Sequence, residues 1–341
     1  MLKKAPLRRA SCAIILLLAI GGRAALAADQ TCASPARFGP TTVGARPAPF
    51  TDARDYRAVF QQCHDAAGRA RLATRRFVLG ETKLLLTVDP ATLETSVEAE
   101  ACWTCADTTD AAQGDTRFIK AIDVAARASG VTPAKHPDYL RNAGLAHGAG
   151  EGAFITGDLC PSSRPLDRSF LAALTSPGGS TPVALSISGL WLAHHGEDFQ
   201  WLREQARTGA LAITWVNHSY HHPYAPGRPL AENFLLEPGV DMRAEVFDTE
   251  RLLLANGETP SVFFRFPGLI SNAAQMETLR EDHLIALGAD GWLVFSPPLR
   301  PGDIVLVHPN GNEPDGLRRF ARLRASGALR GPFRPLAQAP Q

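Results

Sequence analysis

VALSISGLWLAHHGEDFQWLREQARTGALAITWVNHSYHHP, residues 183–223, reads as strand, amphipathic helix and strand in succession. The apolar run 183–187 is short enough for a buried strand. The stretch 197–208 sets Phe199, Leu202 and Ala206 on one helical face and stops at Gly209, and 211–216 is a second apolar run. The same alternation extends to both sides. Strands are predicted over 154–156, 262–264, 291–295 and 304–307, and helices over 165–174 and 242–255, the latter broken at Asn256-Gly257. Strand and helix in repeated alternation predict a parallel sheet or barrel, which gathers functional side chains in the loops at the C-terminal ends of the strands.

Polar residues stand where that architecture requires them. Asp158 follows the first strand, His218, His221 and His222 the third, Arg265 the fourth, and His308 the last, with Asp290 and Trp292 in GADGWLVF. Two imidazoles four residues apart, His218 and His222, fall on the same side of a helical turn and can share one ion. Adding the carboxylate of Asp158 makes a two-His, one-carboxylate set that leaves positions open for water and substrate, as a hydrolytic centre needs. Neutral imidazoles suit a divalent ion, zinc first among them.

The order of these motifs resembles the polysaccharide deacetylase (NodB-homology) family over roughly residues 150–325: HSYHHP at 218–223, RFPG at 265–268, DGWL at 290–293 and LVHPNGN at 306–312. The resemblance implies a distorted (β/α) barrel that removes acyl groups, acetyl first, from an N-acylated sugar polymer. It puts metal binding on His218 and His222, the general acid on His308, orientation of the catalytic carboxylate on Arg265, and support of the acid histidine and acyl pocket on Asp290 and Trp292. Pro267, Trp292 and Tyr220 are expected at the substrate. A catalytically impaired carbohydrate-binding protein and an O-acetyl esterase are the alternatives.

The first motif departs from the family. Two consecutive aspartates are expected there, a general base and then a metal ligand, whereas FITGDLCPS offers only Asp158, between Gly157 and Leu159. Register, kept by Thr156 and Pro161-Ser162, assigns Asp158 to the base. Chemistry favours the ligand, because two imidazoles alone make an under-coordinated centre, and the ligand role is preferred, with His308 or Glu313 left to supply the base. Cys160, without an evident base beside it in sequence, reads as a small buried hydrophobe.

The remaining sequence sets the context. Residues 1–27 combine a basic start, a short apolar run at 12–20 and Ala25-Leu26-Ala27, the pattern of a cleaved secretory signal, and the run is too short to span a bilayer. The chain is expected to be periplasmic or secreted, without stable membrane insertion. Of 35 Lys and Arg against 34 Asp and Glu, five basic residues lie in that leader, which leaves 30 against 34 and gives a nucleic-acid partner no electrostatic support. Cys32, Cys63, Cys102 and Cys105 are expected to form disulfides of open connectivity. Residues 28–149 read as a region of unassigned role with only short regular pieces, among them helices over 55–71 and 117–128. The barrel domain is placed at 150–330 and a frayed tail at 331–341. Trp191, Trp201 and Trp215 read as core, and His194, His195 and His221 as solvated or rim groups.

Overall fold

The computed structural model describes residues 32, 38–127, 138–175 and 179–340. The expected leader lies outside the described residues. Strands β1 (Ala53–Asp65), β2 (Ala70–Leu79), β3 (Thr82–Val88), β4 (Thr95–Ala99) and β5 (Trp103–Asp107) form an antiparallel sheet in the order β4-β3-β2-β1-β5. This corrects the helix expected over 55–71. Ala, Arg and Gln in 55–71 suit a helix locally, but the segment is paired on both sides, with β2 and with β5, and ladder pairing overrides so weak a preference. Cys63 lies directly opposite Cys105 across β1 and β5 and is bonded to it, and Cys32 is bonded to Cys102.

After the short strand β6 (Leu140–Arg141) come β7 (Phe154–Leu159), β8 (Thr181–Ile187), β9 (Leu211–Asn217), β10 (Phe263–Phe264), β11 (Ile270–Ser271), β12 (Ile285–Ala286), β13 (Gly291–Trp292) and β14 (Ile304–Val307). β6 pairs with β11, and the other seven make one parallel sheet in the order β12-β10-β9-β8-β7-β14-β13. All six residues of β7 are buried, as expected of a central strand covered on both faces. One face packs on Trp191 and Leu192 of helix Gly189–His194, Phe199 and Leu202 of helix Gly196–Arg207, and Phe320 of helix Pro314–Ala325. The opposite cluster joins Phe154, Phe263, Ile285 and Ile304 to Phe118 and Ile122 of helix Arg117–Arg127 and to Leu72 and Val88 of the antiparallel sheet.

The curled parallel sheet does not close by strand pairing between β12 and β13. Residues 145–148 bridge its edges instead: Leu145 N donates to Ala286 O, Gly288 N to Leu145 O, Asp290 N to Ala146 O, and Gly148 N to Gly302 O, at 2.8–3.1 Å. These residues precede the boundary expected at 150, yet they complete the distorted barrel. Residues 331–340 of the tail are not frayed either. Leu336 and Ala339 are 2% and 1% exposed, Arg334 N donates to Ala153 O, and Arg117 Nη2 donates to the carbonyls of Ala337 and Pro340. Burial of its apolar side chains outweighs the chain-end entropy that favours fraying.

Candidate active site

β7 extends three residues beyond its expected end and carries Asp158 near its C-terminal edge. Side chains alternate across a strand, so Asp158 and Cys160 face one side while Leu159, fully buried, joins the apolar core on the other. Gly157 leaves room for Pro309, whose Cγ would stand 3.0 Å from an added Cβ. Asp158 is held by the buried Arg265: Nη1 donates to Asp158 Oδ1 at 2.7 Å and to Thr156 Oγ1 at 2.8 Å, and Nη2 donates to Gly288 O at 3.0 Å. The guanidinium, which follows β10, therefore ties β7 to the loop after β12 and fixes the carboxylate's position.

The 218–222 turn is not the helical turn expected from spacing. Ser219 and His222 both adopt left-handed backbone, with φ of 65° and 48°. Asn217 Oδ1 accepts from Ser219 N and Ser219 Oγ from His222 N, which are local side-chain bonds that hold the tight loop. The imidazoles still converge, their ring centres 4.8 Å apart. Tyr220 packs edge-on to Phe50 and over Gly189, where an added Cβ would meet its ring at 2.2 Å, so this expected substrate contact is half-buried against the protein itself. Pro267 is buried at the start of the 3₁₀ turn Pro267–Leu269. His221 pairs with Glu245, and His195 stacks on Trp191 and donates from Nε2 to Ser162 O at 2.8 Å.

Three donor groups converge here: Cys160, His218 and His222, with their ligand atoms all within 4.8 Å of one another. His218 Nδ1 lies 2.8 Å from Arg265 O, which fixes the proton on Nδ1 and leaves the Nε2 lone pair facing Cys160 Sγ at 3.5 Å. His222 Nε2 is shut off from solvent and has no hydrogen-bond partner. This donor set fits a divalent ion, and the expected set differs from it by one residue. Asp158 Oδ2 stands 3.6 Å from His218 Nε2, but Asp158 is not a member of the mutually close trio. Cys160, expected as a small buried hydrophobe, is buried but joins this cluster, and the side-chain alternation continued one residue past β7 sets it beside Asp158.

His308 follows β14 on the same rim, 7% exposed. Its Nδ1 lies at 2.8 Å from Glu313 Oε2, at ion-pair distance without hydrogen-bond alignment, and Trp292 Nε1 donates to that same oxygen at 2.9 Å. Asp290, expected to support His308, pairs with Arg300 and accepts from Asn142 Nδ2; Glu313 occupies the supporting place. A cavity of about 480 Å³ opens beside Trp292, walled by Tyr224, Phe234 and Phe295 with Arg141 and Asp290 at its rim.

The charges of the rim are mutually dependent. Burial would raise the Asp158 carboxyl, but Arg265, His218 and His308 outweigh it and hold it down at about 2. Burial likewise opposes ionisation of Cys160, yet His222, His308 and His218 bring its thiol well below the ordinary range. Burial disfavours a charged His308, but Cys160, Glu313 and Asp158 push its proton affinity well above that of a free imidazole. His218 is raised for similar reasons, with Asp158 and Cys160 opposing burial.

No family model matches the chain. Among solved structures, it is similar to a family 4 carbohydrate esterase from Streptomyces lividans in complex with acetate, with 23% identity over 52% of this chain and 90% of the other, TM-score 0.35. A family 4 carbohydrate esterase from Bacillus anthracis overlays at 16% identity over 58% of this chain and 87% of its own, TM-score 0.42. A family 4 pseudoenzyme, also from Bacillus anthracis, overlays at 16% identity over 53% of this chain and 63% of its own, TM-score 0.32.

Proposed function

We propose that the chain is an exported, metal-dependent hydrolase that removes acyl groups, acetyl first, from an N-acylated sugar polymer outside the cytoplasm. The observation that carries the reading is one rim on which a buried carboxylate, a buried acid histidine and a trio of metal-capable donors meet. His218 and His222 would hold a divalent ion, zinc by the chemistry of the donors; when bound, such an ion polarises an acyl carbonyl and makes water acidic enough to attack at neutral pH. The chain's own residues do the rest. Asp158, clamped by Arg265 and ionised across the working range, is placed to take the proton of the attacking water. His308, kept protonated by its acidic neighbours and fixed beside Glu313, is placed to give a proton to the leaving amine. Trp292, tied to Glu313, and the adjoining aromatic cavity offer flat apolar faces of the kind that pack against a sugar ring or an acyl methyl.

The test is acetate release from an N-acetylated oligosaccharide by the purified mature protein, with a chromogenic acetyl ester as the parallel substrate. Turnover of the amide that stops with chelator and returns with zinc is expected. Turnover of the ester alone would make the protein an O-acetyl esterase, and binding of the oligosaccharide without turnover would make it a carbohydrate-binding relative.

A further inference from the structure

We propose that Cys160 supplies the third protein ligand of the metal ion, as a thiolate, in the place the sequence reading gave to Asp158. The inference rests on the metal-dependent reading above and names its ligand set.

Geometry carries it first. Tetrahedral coordination with ordinary zinc–sulfur and zinc–nitrogen bonds puts a thiolate and an imidazole nitrogen about 3.6 Å apart. Cys160 Sγ and His218 Nε2 are 3.5 Å apart. The His218 ring is locked by its Nδ1 bond to the Arg265 carbonyl, an arrangement common for ligating imidazoles, and its other nitrogen points at the sulfur. His222 Nε2 completes the triangle. It is a buried nitrogen left unpaired by every protein group, a costly arrangement without a partner to receive it.

Exclusion carries it second. Asp158 has one oxygen on Arg265 and stands outside the mutually close trio. The other described cysteines form two disulfides, whereas Cys160 is a free thiol, 6% exposed, whose sulfur lies among the ring nitrogens of His218 and His222. Its backbone is anchored too, since Asn310 Nδ2 donates to Cys160 O at 2.8 Å. A buried cysteine serving only as a small hydrophobe needs none of these polar neighbours. The substitution also removes the difficulty of the single aspartate: with sulfur as ligand, Asp158 is released to act as base.

Cobalt(II) loaded into the full-length mature protein tests the assignment by a signal that does not depend on turnover. One cobalt per chain with an intense thiolate-to-metal charge-transfer band in the near ultraviolet is expected. Cys160→Ser should lose the band and weaken metal binding by at least about tenfold. Cys160→Asp should keep the metal without the band. Metal loading should also slow alkylation of Cys160 by iodoacetamide in the unmutated protein, a readout that does not require any variant to fold. Stoichiometric cobalt without a charge-transfer band, or alkylation equally fast with metal bound, overturns the thiolate ligand while leaving the hydrolase reading intact. A chain that takes up no cobalt overturns both.

Discussion

Arg265 has no exposed surface and an aspartate at 2.7 Å, so the pair contributes to stability only while both members are present. Removing the carboxylate leaves a guanidinium buried without its counter-charge, and removing the guanidinium leaves the carboxylate in the same position. Arg265→Ala should therefore cost about 3–5 kcal/mol, while Asp158→Asn combined with Arg265→Met should cost clearly less than the sum of the single changes. Urea unfolding of the four proteins checks this; additive costs would mean that the two charges are solvated independently. At this scale the sequence was legible where residue types are rare and ordered. His218, His222, Arg265 and His308 all reach one rim. The burial of Cys160 was legible, but its place beside the imidazoles was not, because a cysteine is as good a hydrophobe as it is a ligand; its position two residues after Asp158, one past the end of β7, turns it to that side. Asp290 was expected beside His308 from the resemblance alone; it pairs with Arg300 at the cavity that Trp292 lines, and Glu313, only five residues after His308 in sequence, is the carboxylate at its Nδ1.

Among the elements, β7, β8, β9 and β14 were readable because strands covered on both faces appear as short apolar runs, and the intervening helices because their apolar stripes recur at helical spacing. β1 was not. Its exposed face is rich in residues that favour helix, and its pairing partners on β5 lie as far off as Asp107 opposite Gln61, beyond any local pattern. The Cys63–Cys105 bond pins β1 to β5 and closes a loop with a sequence separation of 42. Replacing both cysteines with alanine should destabilise the protein by about 2–4 kcal/mol, through the larger unfolded ensemble more than through lost contacts. Thermal melting of the double variant measures it. An unchanged midpoint would show that β1 is held by its ladder alone.

The molecule as a whole is assembled across the boundary that composition suggests near residue 150. Arg75 of β2 donates from Nε to Glu250 Oε2 at 2.8 Å, both side chains 1% exposed, and Tyr56 donates its hydroxyl to the same oxygen. A second contact joins Phe60 of β1, stacked at 3.8 Å on the His283 ring, with Asp110, which accepts from His283 Nε2 at 2.8 Å. No sequence pattern announces such a seam, because each member is an ordinary residue whose partner is more than a hundred positions away. Burial holds His283 below the ordinary imidazole value, against the opposing pull of Asp110. The neutral form thus belongs to the folded state, and the unfolded chain binds the proton more readily. Stability from this site is complete above about pH 6.5 and is lost as pH falls from there through the depressed folded value. His283→Asn, which tolerates the left-handed backbone at this position (φ 56°), should flatten that part of the stability profile between pH 7 and 5. A profile as steep as that of the unmutated protein would place the acid sensitivity elsewhere.

The central claim is that Asp158 acts as the base beside a metal ion it does not bind, and Asp158→Asn tests it most directly when bound metal and acetate release are measured on the same preparation. Retained stoichiometric metal with turnover reduced by about a hundredfold or more is the predicted result. Loss of the metal together with the turnover would contradict the account and return Asp158 to the ligand set.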